Sequence, residues 1–209
     1  MEKQEIRTFG RRHGKKLSAR KESLVADVLP ALSPHADEKI DILEIGFGSG
    51  EHIRELALAN PNKIVLGAEP FMSGVAALLS AICDESDTVL DEYKNIRIFP
   101  DDVRIVLNGD KFSFSEIWIL HPDPWPKARH EKRRLLNADF LNLLSKNLSP
   151  NGKIIIGTDH WEYYDWILTQ VKNANLCETD LPHDIIKTRY QKKNMAHTTE
   201  PKYIILTHP

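Results

Sequence analysis

Hydrophobic and polar positions follow two kinds of pattern along most of this chain. Short apolar runs bounded by polar residues predict buried strands, and longer stretches with apolar residues every three or four positions predict helices. The strand patterns lie at 40–46, 63–69, 95–99, 115–120, 153–158 and 202–208, and "SPNG" before the fifth predicts a turn. Helical spacing occupies 23–32, 51–60, 73–83, 134–148 and 161–173.

Strands that alternate with helices predict an α/β fold, in which helices cover both faces of a parallel sheet. In such sheets ligands bind beyond the carboxyl ends of the strands, where the strand order reverses. A chain of 209 residues fits one domain of ordinary size. We therefore expect a single domain over 23–209, preceded by a basic and flexible N-terminal arm over 1–22.

A glycine-rich turn, "LEIGFGSGEH" (43–52), follows the first predicted strand and opens a helix. Gly46, Gly48 and Gly50 allow the backbone to turn sharply and to approach a ligand closely. The dinucleotide fingerprint requires glycine where Glu51 stands, so the match to it is poor. Glu44 precedes the turn, where it would repel a pyrophosphate. It suits a ligand with a cationic end, such as the amino and sulfonium groups of S-adenosylmethionine.

Acidic residues also follow the next two predicted strands. Glu69 stands 23 residues after Gly46, about where an acid binds ribose hydroxyls in nucleoside-binding α/β folds. Asp102 is placed to meet an adenine edge, and Asp101 is the alternative at the same strand end. The other interpretation is a tight turn with exposed acids. Three acids after three strands favour cofactor binding by Glu44, Gly46, Gly48, Gly50, Glu69 and Asp102.

Positive charge is concentrated in three blocks, although the formal net charge is −2. Residues 1–23 hold eight Lys/Arg against three acids, 126–134 hold five against one, and 187–193 hold four against none. Basic blocks on an otherwise acidic chain indicate a polyanionic partner, unless each block is simply a solvated surface segment.

Other features narrow the class of protein. Two cysteines are too few for a disulfide framework, and the histidines lack metal-ligand spacing, so we expect no metal site. No apolar stretch approaches the ~20 residues needed to cross a bilayer, and the N-terminus lacks the apolar core of a secretion signal. We expect a cytoplasmic protein without membrane contact, either a monomer or a homodimer.

The motifs "EIGFGSGEH", "GAEP" and "PDPWPKARHEKRRL" together resemble the tRNA (guanine-N7)-methyltransferase family. "RTFGRRHGK" near the start, and "TDHWEYYDW" and "TRYQ" near the end, extend the resemblance over nearly the whole chain. It implies a class I (Rossmann-like) methyltransferase fold with a mostly parallel seven-stranded sheet. It also implies S-adenosylmethionine as cofactor and a guanine in the variable loop of tRNA as substrate.

The stretch "HPDPWP" (121–126) is the expected catalytic corner, because it follows the fourth strand. Three prolines in five residues stiffen it. Guanine N7 carries a lone pair and no proton, so the reaction requires no general base. Asp123 is the candidate catalytic residue, stabilising the positive charge that develops on the purine. Trp125 either stacks on a base or packs on the sheet.

The cations after this corner are expected to bind phosphates beside the target base. Without the preceding aspartate, the same cations would equally suit the start of a basic helix or a solvated loop. The resemblance assigns Asp159 and "TRYQ" to the substrate pocket, where Gln191 replaces the family's glutamate. Asp159 also suits a helix N-cap. His121 is expected to pack. The predicted RNA-binding set is Lys127, Arg129, His130, Lys132, Arg133, Arg134, Asp159, Thr188, Arg189 and Gln191.

Two other functions remain open at this point. One is a methyltransferase of the same fold acting on a small molecule or a protein, which would have no use for a phosphate-binding segment. The other is a non-catalytic RNA-binding module, which would have no use for a glycine turn flanked by acids.

Overall fold

A seven-stranded mixed sheet forms the centre of the molecule. The computed structural model describes residues 9, 14, 16–109, 112–180 and 201–209. The strand order is β3-β2-β1-β4-β5-β7-β6. The strands are β1 (Ile42–Ile45), β2 (Val65–Ala68), β3 (Ile96–Phe99), β4 (Phe114–Leu120), β5 (Leu148–Thr158), β6 (Cys177–Thr179) and β7 (Lys202–Thr207).

Helices cover both faces of this sheet. The α-helices are α1 (Ala19–Ser23), α2 (Glu51–Ala59), α3 (Met72–Ile82), α4 (Val103–Leu107), α5 (Ala138–Lys146) and α6 (Trp161–Val171). After α1 the chain continues helically, as a π-helix over Leu24–Val28 and a 3₁₀-helix over Leu29–Leu32. A second 3₁₀-helix, Ala128–Arg133, lies between β4 and α5. The fold class that the sequence predicts is confirmed.

The first five strands run parallel, and the order reverses at β1, which pairs with β2 on one side and β4 on the other. This is the switch point of an open α/β sheet, where a crevice forms beyond the carboxyl ends of the strands. β7 is antiparallel to both β5 and β6. The carboxyl ends of β5 and β6 and the start of β7 therefore share one edge of the sheet.

Alternating strand residues supply two hydrophobic cores, one on each face. In β1, Leu43 and Ile45 join the core that contains residues of α4, α5 and α6, whereas Ile42 joins the core beneath α2, α3 and the N-terminal helices. Each helix buries an apolar stripe; α5, for example, buries Phe140, Leu141 and Leu144. Burial on both faces explains why the strands read as nearly continuous apolar runs.

Several boundaries differ from the sequence prediction. The "SPNG" segment lies within β5, because Leu148 pairs with Phe114 before a register shift at Phe114/Glu116. The helix predicted over 134–148 begins at Ala138, where the side chain of Asn137 accepts a hydrogen bond from the Phe140 N–H and caps it. The hydrophobic pattern did not reveal α4 or β6, which have five and three residues.

The predicted boundary between arm and domain also falls inside a helix. α1 starts at Ala19, and the Arg20 side chain donates to the Asp87 carboxylate (2.9 Å) and to the Asp84 carbonyl (2.7 Å). Residues 19–22 are thus attached to the turn after α3, while residues 1–8, 10–13 and 15 of the predicted arm lie outside the described residues. Among the described helices, none is long and apolar enough to span a membrane.

Candidate active site

A cavity of about 580 Å³ opens at the carboxyl edge of the sheet, over the switch point between β1 and β4. It brings together the ends of β1, β2 and β4, the start of α4, and the loop and 3₁₀-helix after β4. The residues of the predicted sites that line it are Gly46, Glu69, Asp102, Asp123, Trp125, Lys132, Arg133 and Arg134.

The glycine turn has the backbone geometry that its sequence predicts. Gly46, Gly48 and Gly50 have φ angles of 75°, 57° and 85°, in the left-handed region that side chains disfavour. A Cβ atom built at Gly46 or Gly48 would meet no protein atom within 4 Å. This open space beside an exposed backbone fits a cofactor that lies directly against the turn.

Glu69 joins the glycine turn to the turn after β2. Its Oε2 accepts a hydrogen bond from Gly48 N–H and its Oε1 from Phe71 N–H, both at 2.9 Å. The side chain is 8% exposed, and burial raises the pKa of Glu69 above its ordinary value. Each carboxylate oxygen has capacity for a further hydrogen bond, so Glu69 can accept from a pair of ribose hydroxyls.

Of the two aspartates after β3, Asp102 lines the cavity. Its Oδ1 accepts a hydrogen bond from Arg104 N–H (3.0 Å) and caps α4, and the Arg104 guanidinium pairs with both of its oxygens at 2.8 and 2.7 Å. Asp101 accepts from the Asp102 N–H (2.7 Å). The geometry favours Asp102 over Asp101 as the residue next to a ligand.

Glu44 lies elsewhere than its predicted role suggests. It is 3% exposed, and its Oε2 lies 3.2 Å from Nδ1 of the equally buried His52. It shares a face of β1 with Ile42, toward α2 and α3, because strand side chains alternate. Glu44 does not line the cavity, and the His52 ring packs 4.9 Å from Trp118. A contact between Glu44 and the cationic end of a cofactor stays a prediction.

The loop after β4 holds Asp123 between two residues in unusual conformations. His121 and Trp125 have φ angles of 50° and 43°, although neither is glycine. Such conformations cost on the order of 1–2 kcal/mol each and persist where surrounding contacts enforce them. The loop begins with a hydrogen bond from His121 N–H to the Gly157 carbonyl of β5 (2.7 Å). Asp123 is exposed and faces the cavity.

Trp125 contacts the basic segment that follows it. Its indole meets the His130 ring edge-on, with centroids 5.6 Å apart, and the Arg133 guanidinium lies over it at 4.9 Å. The same guanidinium lies 5.6 Å from the Phe9 ring. Since Trp125 also lines the cavity, its position is compatible with stacking on a substrate base.

In the basic segment, Lys127 at the N-cap of the 3₁₀-helix and Arg129 and Lys132 within it are exposed to solvent, and Lys132 also lines the cavity. We refer to these three exposed cations as the cationic rim. His130 contributes less charge than the sequence suggests. Desolvation, followed by the charges of Arg133, Arg129 and Lys127, lowers the pKa of His130 below its ordinary value. A lowered pKa favours the neutral imidazole, which can hydrogen-bond or stack.

Arg134 differs from the other cations of the basic run in its burial and its contacts. It is 8% exposed, its Nε donates to the Pro124 carbonyl (2.9 Å), and its guanidinium lies over Trp166 (4.9 Å) and Tyr163 (5.5 Å). A guanidinium enclosed in this way is oriented toward the catalytic loop rather than toward a backbone phosphate.

Asp159 follows β5 and lies next to the catalytic loop, its Oδ1 3.7 Å from Nδ1 of His121. The expectation that Asp159 caps α6 is wrong, because the cap is His160, whose Nδ1 accepts from Tyr163 N–H. His121, expected only to pack, also lines the cavity. Thr188, Arg189 and Gln191 lie outside the described residues.

No group of three or more His, Cys, Asp or Glu side chains within the described ranges has the arrangement of a metal site. The site combines a glycine turn and acids that fit a nucleoside-containing cofactor, an exposed carboxylate and an indole at the catalytic loop, and a cationic rim. This combination suits group transfer to a polyanionic substrate.

Comparisons with known proteins agree with this description. A family model described as "Putative methyltransferase" matches residues 38–204. A "tRNA (guanine-N(7)-)-methyltransferase" of Wolbachia pipientis wMel is 41% identical over 134 residues, 64% of this chain and 58% of the relative. The chain thus spans a little over half the length of that relative. The enzyme of the same name from Paramagnetospirillum magneticum is 33% identical, covering 90% of this chain and 87% of its own.

Among solved structures, an antibiotic-related methyltransferase superposes with a TM-score of 0.56. It is 14% identical and the match covers 93% of this chain and 97% of that chain. At that identity the likeness concerns the fold alone, which is the Rossmann-like fold of class I methyltransferases.

Proposed function

The chain belongs to the tRNA (guanine-N7)-methyltransferase family, and we propose that it transfers a methyl group from S-adenosylmethionine to N7 of a guanine in tRNA. The guanine is in the variable loop, the product is 7-methylguanosine, and the enzyme acts in the cytoplasm. The observation that carries this proposal is the single cavity in which the glycine turn and Glu69 adjoin Asp123, Trp125 and the cationic rim.

The residues around the glycine turn fit S-adenosylmethionine, which supplies an electrophilic methyl group on its sulfonium. Glu69 accepts hydrogen bonds from the ribose hydroxyls, and Asp102 lies at the next strand end, toward the adenine. Gly46 and Gly48 leave space for close approach of the ligand to the backbone. These groups bind and orient the methyl donor at the carboxyl end of β1.

Asp123 acts on the acceptor. The N7 lone pair forms the new N–C bond as the C–S bond breaks, so no proton leaves and positive charge passes from sulfur to the purine. The Asp123 carboxylate stabilises this cation and accepts hydrogen bonds from donors on the guanine edge. Its fixed position in a proline-rich loop matters because an in-line displacement depends strongly on orientation.

The exposed cations Lys127, Arg129 and Lys132 bind phosphates beside the target nucleotide, and Lys132 and Arg133 line the cavity itself. These contacts supply affinity and orientation without reading sequence. Trp125 stacks on the guanine or its neighbour. A cationic rim of this kind favours a nucleic-acid substrate over a small molecule or a protein.

The test is transfer of labelled methyl from S-adenosylmethionine into bulk tRNA, followed by nucleoside analysis. We expect the label in 7-methylguanosine alone. Label in another nucleoside, or transfer only to a protein or small molecule, would overturn the assignment, as would tRNA binding without transfer.

A further inference from the structure

The loop that carries Asp123 requires external support. His121 and Trp125 are both in the left-handed region, two residues on either side of Asp123. Without restraint each would relax to a more favourable conformation and move the carboxylate. Pro122, Pro124 and Pro126 lack N–H groups, so half of the six residues in this loop donate no backbone hydrogen bond.

Two hydrogen bonds hold the loop, one at its first residue and one at its fourth. On the sheet side, the His121 N–H donates to the Gly157 carbonyl at 2.7 Å. On the other side, Nε of Arg134 donates to the Pro124 carbonyl at 2.9 Å. The second bond is made by a charged donor, which makes it stronger than a neutral one. It acts on the residue between Asp123 and Trp125.

Arg134 is itself held rigidly. Its guanidinium lies over the rings of Trp166 (4.9 Å) and Tyr163 (5.5 Å), both on α6. Its Nη1 lies 4.0 Å from Oε1 of Glu131, and that same oxygen accepts a hydrogen bond from the Trp166 indole N–H. A continuous set of contacts therefore connects helix α6 through Arg134 to the Pro124 carbonyl.

We propose that Arg134 is a positioning residue for methyl transfer: it fixes the Pro124 carbonyl and thereby the orientation of Asp123 and Trp125, and it does not bind RNA phosphate. The proposal rests on the proposed function, since it concerns the geometry of the same catalytic loop. Arginine suits this role because its planar guanidinium stacks on aromatic rings while donating in a fixed direction.

The experiment compares Arg134→Lys with Arg20→Lys as its control, because Arg20 also donates to a backbone carbonyl, that of Asp84 (2.7 Å), but does not line the cavity. Lysine retains positive charge, so a phosphate contact survives the change largely intact, whereas the stacked and directed geometry is lost. We expect Arg134→Lys to lower kcat about 10- to 100-fold, as small displacements of catalytic groups do. The KM for tRNA, the salt dependence of binding and the affinity for S-adenosylmethionine should stay within about twofold, and every constant of Arg20→Lys should do the same.

Trp166→Phe is a second variant, in case Arg134→Lys folds poorly. It keeps an aromatic ring beneath Arg134 but removes the indole N–H that holds Glu131. A smaller fall in kcat, on the order of threefold to tenfold, with unchanged tRNA affinity is expected. An unchanged kcat in both variants, or a flatter salt dependence of tRNA binding in Arg134→Lys, overturns the proposal.

Hydrogen–deuterium exchange separates this inference from the proposed function. Arg134→Lys should accelerate exchange at the amides of His121, Asp123 and Trp125, and Arg20→Lys should not. If wild-type protein fails to methylate tRNA, the proposed function falls, and exchange at these three amides still decides whether Arg134 holds the loop. Exchange equal to that of the wild type refutes the role of Arg134 whatever the substrate is.

Discussion

The guanidinium carbon of Arg133 lies 4.9 Å from the centroid of the Trp125 indole, over its face. Nε of Arg133 is buried and has no hydrogen-bond partner among the described residues. Stacking on an aromatic ring compensates part of that cost. It also means that one face of the indole is already covered before a base arrives, so any base stacks on the other face or takes the place of Arg133.

Replacing Trp125 tests whether its indole binds a base. Trp125→Ala should weaken tRNA binding about 5- to 150-fold, the equivalent of roughly 1–3 kcal/mol for one stacked base. Trp125→Phe should retain most of the affinity. Both variants keep a Cβ at a φ of 43°, so the backbone strain is matched, which a glycine variant would not achieve. Wild-type affinity in Trp125→Ala, measured by filter binding, would show that the indole only packs against the loop.

Replacing Asp123 should separate catalysis from folding. Asp123→Ala and Asp123→Asn should both lower methyl transfer by about 100-fold or more, since the stabilising charge is lost in each. The side chain is exposed, so the melting temperature should stay within about 2 °C. Asp165→Asn, an exposed substitution on α6, is the control. Near-normal turnover in Asp123→Asn would show that the side chain acts through hydrogen bonds alone and that its negative charge is not needed.

The cationic rim should determine the salt dependence of tRNA binding. Changing Lys127, Arg129 and Lys132 together to Gln should reduce the slope of log K against log salt by about 2 to 3, or roughly 0.7–0.9 per lost phosphate contact. The matched control is Lys39, Lys146 and Lys172 changed to Gln. These lysines are exposed and lie at the opposite edge of the sheet, before β1 and at the ends of α5 and α6. An equal loss of slope in both variants would indicate a non-specific charge effect.

Glu69 should make cofactor binding depend on pH. Burial raises the pKa of Glu69 above 4.5, and protonation turns one carboxylate oxygen into a donor and removes the charge, which weakens the hydrogen bonds accepted from ribose hydroxyls. Calorimetric affinity for S-adenosylmethionine should therefore fall as pH drops from neutral toward about 4.5. Glu69→Gln should bind about 10- to 100-fold more weakly at pH 7 and show a flat profile over that window.

The stability of the protein should respond to Glu69 in the opposite sense. Because its folded pKa is above the unfolded value, the folded form holds the proton more tightly, and this contribution is present below pH 4.5 and lost as pH rises through the folded pKa. Glu69→Gln should remove this component of the pH dependence of unfolding. If acidification lowered both the affinity for S-adenosylmethionine and the stability contributed by Glu69, the raised pKa assigned to Glu69 would be wrong.

Gly74 should be intolerant of a side chain despite its place in a helix. A Cβ there would lie 2.4 Å from the Gly48 carbonyl oxygen, which belongs to the glycine turn. Gly→Ala inside a helix ordinarily stabilises by ~1 kcal/mol, whereas Gly74→Ala should destabilise by about 1–3 kcal/mol because backbone must move. It should also weaken cofactor binding. A raised melting temperature would show that α3 and the turn are less tightly apposed than the structure indicates.

The elements that sequence predicts well are those whose signal is local. Each strand end carries its own chemistry, so Gly46, Glu69, Asp102 and Asp123 could be assigned to one sheet edge before any contact was known, and the cavity contains all four. The apolar runs located six of the seven strands because both faces of the sheet are buried. β6, with three exposed residues, gave no such signal.

The cations of the basic run differ in burial, and the sequence does not show this difference. Five cations in 127–134 look equivalent in sequence, yet only one is enclosed. A 3₁₀-helix has three residues per turn, so Glu131 and Arg134 fall on one side, toward α6, while Lys127, Arg129 and Lys132 face solvent. Which side meets α6 depends on tertiary packing. The pairing of Glu44 with His52 depends in the same way on a helix packing over a strand.

The reversed direction of β7 has a consequence for how substrate choice can change. β7 begins at Lys202, which pairs with Thr158 at the edge of the sheet that carries Asp123 and Asp159. Substitutions at the start of β7 can therefore change this end of the edge without touching the glycine turn after β1, from which β7 is separated by β4 and β5.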